Sequence, residues 1–278
     1  MKELFEISAG TVVGKLHAMA GKNNQDAFYA IHTDDFMIGV VSDGCGSEPY
    51  SEVGSLIGCR MLAKMISQRA ALISNDNRIS EISPLFWENA EEEILTQIIN
   101  LSGKIGHDAI EVVSNFFLFT LVGFIITRRE SLFFSLGDGV IIINGEIKIL
   151  GPFPDNAPPY LAYNLFTLTP IKPESGIKIQ KIVDTDSIES ILVGTDGVEH
   201  LIKAEGLKIP GRDETVGPIS RFWTENCFFE NPDMVRRRLT VINRPCVKFD
   251  GDSKSIIREY GHLPDDTTLI AVRRKSTA

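Results

Sequence analysis

At three places along this chain a short apolar run stops at an Asp-Gly pair: Met37 to Ser42 before Asp43-Gly44, Ser131 to Gly137 before Asp138-Gly139, and Ser190 to Thr195 before Asp196-Gly197. Apolar runs rich in β-formers and bounded by such breakers read as strands, so each of these strands ends on a carboxylate. Asn24-Gln25-Asp26 precedes the β-like text Ala27 to Ser42, and Pro264-Asp265-Asp266 precedes Thr267-Thr268 and the last apolar run, which puts further acidic loops at strand starts. A fold that brings these strand ends together gathers five acidic loops in one place.

The rest of the pattern says what surrounds them. Phe5 to His17 and Ala27 to Ser42 read as strands, the second stretch broken by the turn signal Thr33-Asp34-Asp35. Ser51 to Ala71 spaces Val53, Leu56, Ile57, Met61 and Met65 at helical intervals as an apolar face, with Arg60 and Lys64 as cations. A second helix is expected over Ser83 to Leu101, with Ser83 as N-cap, Pro84 in the first turn and Glu91-Glu92-Glu93 facing outward. Asn115 to Thr127, Ser131 to Leu136, Val140 to Asn144 and Glu146 to Leu150 read as a meander, with Asn144-Gly145 as a hairpin turn. Gly151 to Pro173 is dense in Pro and Asn, which predicts irregular structure and suits a flap beside a site. Strands follow at Ile177 to Val183 and Ile188 to Val193, helices at Val198 to Ile202 and Asn231 to Ile242, and a final strand at Thr268 to Arg273. No repeat or linker divides the chain, so residues 1–278 read as one α+β domain of antiparallel sheets packed against helices.

Composition removes several classes of function. A formal charge of −9 argues against nucleic acid, which needs a concentrated basic stripe, and Arg236-Arg237-Arg238 and Arg273-Arg274-Lys275 read as solvated surface. The strongly apolar stretch Phe116 to Ile126 is shorter than the ~20 residues of a spanning helix, so no membrane segment is expected. Met1 to Gly10 carries Lys2, Glu3 and Glu6 and lacks a secretory core. Cys45, Cys59, Cys227 and Cys246 have neither metal-ligand spacing nor disulfide-framework density, which fits reduced thiols in the cytoplasm.

A lone Asp-Gly pair is most simply a hairpin turn, and that reading holds for Asp138-Gly139, which lies between two strand-like runs. Asp43 and Asp196 each lead towards a helix instead. Clustered carboxylates are costly: two unit charges ~4 Å apart at an effective dielectric of ~20 repel by about 4 kcal/mol. Cations or raised pKa values must compensate. Oxygen donors without a Cys or His cluster favour Mg²⁺ or Mn²⁺ over zinc. Two such ions about 3.5–4 Å apart share and activate a water, which is phosphoester hydrolysis chemistry.

Asn24-Gln25-Asp26-Ala27-Phe28, Ser42-Asp43-Gly44-Cys45-Gly46-Ser47, Leu136-Gly137-Asp138-Gly139, Gly194-Thr195-Asp196-Gly197-Val198 and Asp265-Asp266-Thr267-Thr268 resemble, in order, the motifs of the metal-dependent serine/threonine phosphatases of type 2C, over Gly14 to Val272. The resemblance implies a central antiparallel β-sandwich flanked by antiparallel helices, in four αββα layers, with two metal ions and sometimes a third at one end. It implies that Asp43 bridges both ions, that Gly44 offers its carbonyl, that Asp26 serves the second ion, that Asp196 and Asp265 serve the first, and that Asp138 lies at a third position found in bacterial members. Asp43 and Asp26 are then the catalytic carboxylates, and Asp266 stands where many relatives have Asn. The implied reaction is hydrolysis of phosphoserine or phosphothreonine on a protein by a metal-activated water, with a serine/threonine kinase as the opposing partner.

Two departures stand out. Many relatives carry Arg five residues before the Asp26 position to grip phosphate; here that residue is Gly21, with Lys22 after it and Lys15 and His17 before it. Lys22 and His17 are the candidate replacements, although lysine gives a point charge where Arg gives a fork. Cys45 stands where some eukaryotic relatives have a histidine proposed as general acid; as a thiol nucleophile it lacks the downstream Arg of a phosphate loop. Gly21 also motivates an alternative reading, a phospho-binding or regulatory module of the same fold that turns over poorly.

Overall fold

The computed structural model describes residues 1–72, 79, 84–154, 157–166, 176–251 and 254–276. Its elements run β1 (Phe5–Val12), α1 (Lys15–Ala20), β2 (Ala27–His32), β3 (Met37–Ser42), α2 (Ser51–Leu72), α3 (Pro84–Ile105), α4 (Ala109–Phe116), β4 (Leu121–Ile126), β5 (Glu130–Leu136), β6 (Gly139–Ile143), β7 (Glu146–Leu150), β8 (Lys178–Asp184) and β9 (Ser190–Gly194). They continue through α5 (Gly197–Lys203), α6 (Arg221–Thr224), α7 (Cys227–Glu230), α8 (Met234–Asn243), β10 (Cys246–Asp250), β11 (Ser255–Glu259) and β12 (Thr267–Arg274).

Ten strands form two antiparallel five-stranded sheets, ordered β1-β12-β9-β6-β7 and β2-β3-β4-β5-β8. Two-residue periodicity sorts their side chains. In β3, Met37 and Val41 point between the sheets, where they meet Phe124, Phe133, Ile141, Val193 and Ile270, while Ile38 and Val40 face the helices on the other side. In β12, Ile270 and Val272 point inward and Leu269 and Ala271 outward. The outer face of one sheet carries α2, α3 and α4; that of the other carries α5 to α8. The expected four-layer αββα sandwich is therefore present, and burial on both faces is why β3, β4 and β5 are continuously apolar rather than alternating.

Several local expectations need correction. The β-like text from Phe5 to His17 is a strand only to Val12; Gly14 turns the chain, and α1 carries Lys15, His17 and Met19. The strand expected from Asn115 begins at Leu121, because Asp108 caps α4 by accepting from the backbone N–H of Ile110 and Glu111. Strands β4 to β7 are not a meander: β5 and β6 lie in different sheets, so Asp138-Gly139 is a crossover and not a hairpin turn. The Asn144-Gly145 hairpin does join β6 to β7, with φ of 51° and 83°. The β10–β11 hairpin was not anticipated, although Asp250-Gly251 at the end of its first strand is a turn signal. Ser83 lies outside the described residues, as do 155–156 and 167–173 of the proposed flap.

Glu91, expected to face outward, is buried and accepts from the Ile177 N–H at 2.5 Å, burial pushing its carboxyl up. The buried face of α2 is rotated from the expected one: Leu56 is 45% exposed and Ile57, Met61 and Met65 are only partly buried against the core, while Cys59, Leu62, Ala63 and Ile66 are buried. The reason is close approach. A Cβ on Gly54 would sit 2.2 Å from the Phe116 carbonyl oxygen, and one on Gly58 2.3 Å from the Phe119 ring, so the helix rests on α4 and the following loop through its glycines. Gly54→Ala should therefore lower stability by about 1–3 kcal/mol despite alanine's helix propensity. Gly103→Ala, where a Cβ meets nothing within 4 Å, should raise it by up to about 1 kcal/mol. Urea denaturation of both variants checks the contrast.

Candidate metal centre

Antiparallel pairing puts the end of one strand beside the start of the next, and the registers bring the acidic loops to one end of the sandwich. Ala27 pairs with Ser42, placing Asp26 beside Asp43. Gly194 pairs with both Val140 and Leu269, placing Asp196, Asp138 and the Asp265-Asp266 loop together across the other sheet. The crossover from β5 to β6 depends on glycine: Gly137 and Gly139 have φ of 84° and 136°, and a Cβ on Gly139 would meet the Gly194 carbonyl at 2.7 Å.

A cavity of about 490 Å³ opens at this end, lined by Asp43, Asp138, Asp196, Asp265 and His17 and walled by the loop residues Ala157, Pro158, Tyr160 and Tyr163. The described part of the Pro-rich segment thus lies beside the site. Burial pushes the Asp43 carboxyl well up, and the charges of Asp26, Asp196, Asp265 and Asp138 push it further. Burial and then Asp266 raise Asp26 in the same way, and Asp196 rises to about 7 through burial and the charges of Asp265 and Asp138. Asp138 is raised by burial first and by Asp265. Burial, followed by Cys45, Asp43 and Asp138, also drives the Tyr160 phenol up.

Backbone and hydroxyl contacts hold these groups at fixed positions. The Asp43 carbonyl accepts from Thr120 N–H at 2.8 Å, and Ser42 Oγ donates to the Thr120 carbonyl at 2.7 Å. Thr195 Oγ1 donates to Asp26 Oδ2 at 2.7 Å, linking the two sheets. Asp26 Oδ1 and Asp138 Oδ1 are buried and have no hydrogen-bond partner among the described residues. Orphaned oxygens within a repelling, oxygen-only cluster are what a hard divalent cation satisfies, so the donor set fits Mg²⁺ or Mn²⁺. Gly44 is packed so tightly that a Cβ would meet the Gln25 and Ser51 carbonyl oxygens at 2.8 Å.

Asp266 plays a part that the sequence did not reveal. It is buried; its Oδ1 accepts from Gly14 N–H at 2.6 Å, and its Oδ2 accepts from Gln25 N–H at 2.5 Å and lies 2.9 Å from His17 Nδ1. With both oxygens occupied it is a hub that fastens α1 and the Asp26 loop to the Asp265 loop, so His17, Asp265 and Asp266, although close enough to hold an ion, read as a hydrogen-bonded cluster. The carboxylate accepts the Nδ1–H and leaves Nε2 of His17 for the cavity, near Gly46. Lys22 is not a lining residue; its Nζ donates to the Gly46 carbonyl at 2.6 Å, at the rim. Gly21 caps α1 with φ of 69°, a conformation that favours glycine over the Arg of many relatives. Cys45 lines the cavity with its Sγ 3.2 Å from Ser47 Oγ.

A sequence model described as protein phosphatase 2C matches residues 13–239 of the chain. No curated protein matches the sequence. The structure is similar to that of a bacterial serine phosphatase (TM-score 0.52, 14% identity, 99% of each chain covered) and to the serine/threonine phosphatase Stp1 from Staphylococcus aureus (TM-score 0.52, 15% identity, 98% of this chain and 96% of that one). It is also similar to the serine/threonine phosphatase PstP/Ppp of Mycobacterium tuberculosis (TM-score 0.50, 11% identity, 97% and 98% covered). At these identities the likeness is one of fold.

Proposed function

The chain belongs to the protein phosphatase 2C family, and on that premise we propose that it hydrolyses phosphoserine and phosphothreonine on proteins, with Mn²⁺ or Mg²⁺ as cofactor. The observation that carries the reading is the set of mutually repelling carboxylates with two orphaned buried oxygens at one end of the sandwich. Asp26, Asp43, Asp196, Asp265 and the Gly44 carbonyl would hold two ions, and Asp138 would serve a third. When bound, such ions supply Lewis acidity and a water that is a nucleophile near neutral pH. The carboxylates fix the geometry because their backbones are tied to the sheets. His17, oriented by Asp266, would in its protonated form donate from Nε2 to a phosphoryl oxygen, in the role that Gly21 cannot fill. Lys22, held at the rim, would add positive charge as phosphate enters. Tyr160 and Tyr163 flank the cavity. All four cysteines are free, and among the described residues no helix is long and apolar enough to cross a membrane; the free thiols support a reducing, cytoplasmic setting.

The test is hydrolysis of an aryl phosphate and of phosphothreonine peptides with Mn²⁺, with Mg²⁺ and with chelator. Turnover that requires metal is the expected result. Phosphopeptide binding without turnover in any metal would instead favour the weakly catalytic binding module that Gly21 suggests.

A further inference from the structure

Lys15 and Met19 lie two positions either side of His17 in α1. At about 100° per residue they leave the helix about 160° away from the imidazole. Both line a second cavity, of about 410 Å³, on the opposite flank of α1 from the metal centre. Its apolar wall includes Val12, Met19, Pro245 and Tyr260, and its cations are Lys15 and Arg244. Helix α1 buries none of its residues; Met19 is 71% exposed and Leu16 57%. Neither Lys15 nor Arg244 has a side-chain hydrogen bond or ion pair among the described residues, in a chain of formal charge −9. An apolar groove edged by two free cations is complementary to an apolar side chain beside a carboxylate.

We infer that this groove is a docking site for the protein substrate: it seats an apolar side chain and a neighbouring acidic residue of the polypeptide whose phosphorylated residue enters the metal centre. The inference rests on the phosphatase reading and adds a substrate class to it. Helix α1 is the shared wall, with His17 on one side and Lys15 and Met19 on the other. A helix with its side chains is about 10–12 Å across, and an extended chain covers about 3.3–3.6 Å per residue. The anchor therefore lies about three or four residues from the phosphorylated residue.

The test uses labelled phosphothreonine peptides carrying Leu-Glu three or four residues before or after the phosphothreonine, with matched peptides in which Leu is Ser or Glu is Lys. Wild type is compared with Met19→Ser/Arg244→Glu, both positions being exposed and outside the metal centre. In Mn²⁺, KM for one Leu-Glu placement should be about tenfold or more lower than for its matched controls, at similar kcat. The double variant should lose that preference and turn over an aryl phosphate, which is too small to reach the groove, at the wild-type rate. Equal KM for all peptides, or a preference that survives in the variant, overturns the docking site. So does a parallel loss of aryl phosphate turnover, which would give these residues a structural role. If wild type hydrolyses neither peptide nor aryl phosphate, the phosphatase reading fails instead, and fluorescence anisotropy of the same peptides decides the groove: Leu-Glu binding lost in the variant supports it, and no discrimination overturns it. Capture of octanoate without peptide preference, or a dimer that the variant dissociates, assigns the groove to another occupant and also overturns the proposal.

Discussion

Asp43→Asn is expected to lower Mn²⁺-dependent hydrolysis of an aryl phosphate by at least about 10²–10³-fold, the scale on which single metal-orienting or charge-stabilising groups act, while the protein stays folded. Four other carboxylates, Asp26, Asp196, Asp265 and Asp138, press on Asp43. Asn keeps the side-chain volume and removes the charge that would bind the cations. The same change relieves repulsion when no metal is present, so the metal-free variant should melt above metal-free wild type, while its stabilisation by Mn²⁺ should shrink. Activity and stability then move in opposite directions, which a merely structural aspartate would not do. Wild-type turnover in the variant would sink the two-ion assignment, and a lower melting temperature in chelator would show that the charge of Asp43 supports the fold.

The second large effect is on the pH dependence of stability. Asp26, Asp43 and Asp138 have carboxyls raised first by burial and then by neighbouring carboxylates, and Asp196 is raised to about 7 in the same way. A group whose pKa is higher folded than unfolded binds its proton more tightly in the native state. Its contribution is complete below the unfolded value of about 4 and is lost as pH rises through the folded value. For Asp196 alone the difference is on the order of 4 kcal/mol. In chelator the melting temperature should therefore fall by about 5–10 °C between pH 5 and 8. Saturating Mn²⁺ should reverse the slope, because protons compete with the metal for the same oxygens. Thermal melts at several pH values, with chelator and with Mn²⁺, check both signs; a flat profile in chelator would mean that burial and neighbouring charge do not raise these carboxyls.

Much of this protein was legible because its signals are local. The Asp-Gly breakers after Ser42 and Thr195, the Asn144-Gly145 turn and the apolar run of β12 need only neighbouring residues to be understood, and they located strands and acidic loops. The helices α1 and α4, which were missed, and the strands they shorten show where local pattern fails. In Phe5 to His17 the β-like composition continues past Val12, and only the docking of Gly14 against the Asp265-Asp266 peptide, with a Cβ there 2.3 Å from the Asp265 carbonyl carbon, explains the turn into α1. On α2 the expected apolar residues Ile57, Met61 and Met65 sit at the edge of the core, because Gly54 and Gly58 let the helix approach α4 and the following loop most closely on the adjoining face.

The order of the acidic motifs along the chain determined the family resemblance and the candidate site residues, since strand ends and breakers are written locally. Tertiary structure alone decided that β5 and β6 part into different sheets, that Asp266 fastens Gly14 and Gln25 across 252 and 241 residues of sequence, and that Lys22 binds the Gly46 carbonyl at the rim. The physical reason is range: a hydrogen bond between residues so far apart, or the void left between two packed backbones, has no counterpart in the spacing of neighbouring side chains.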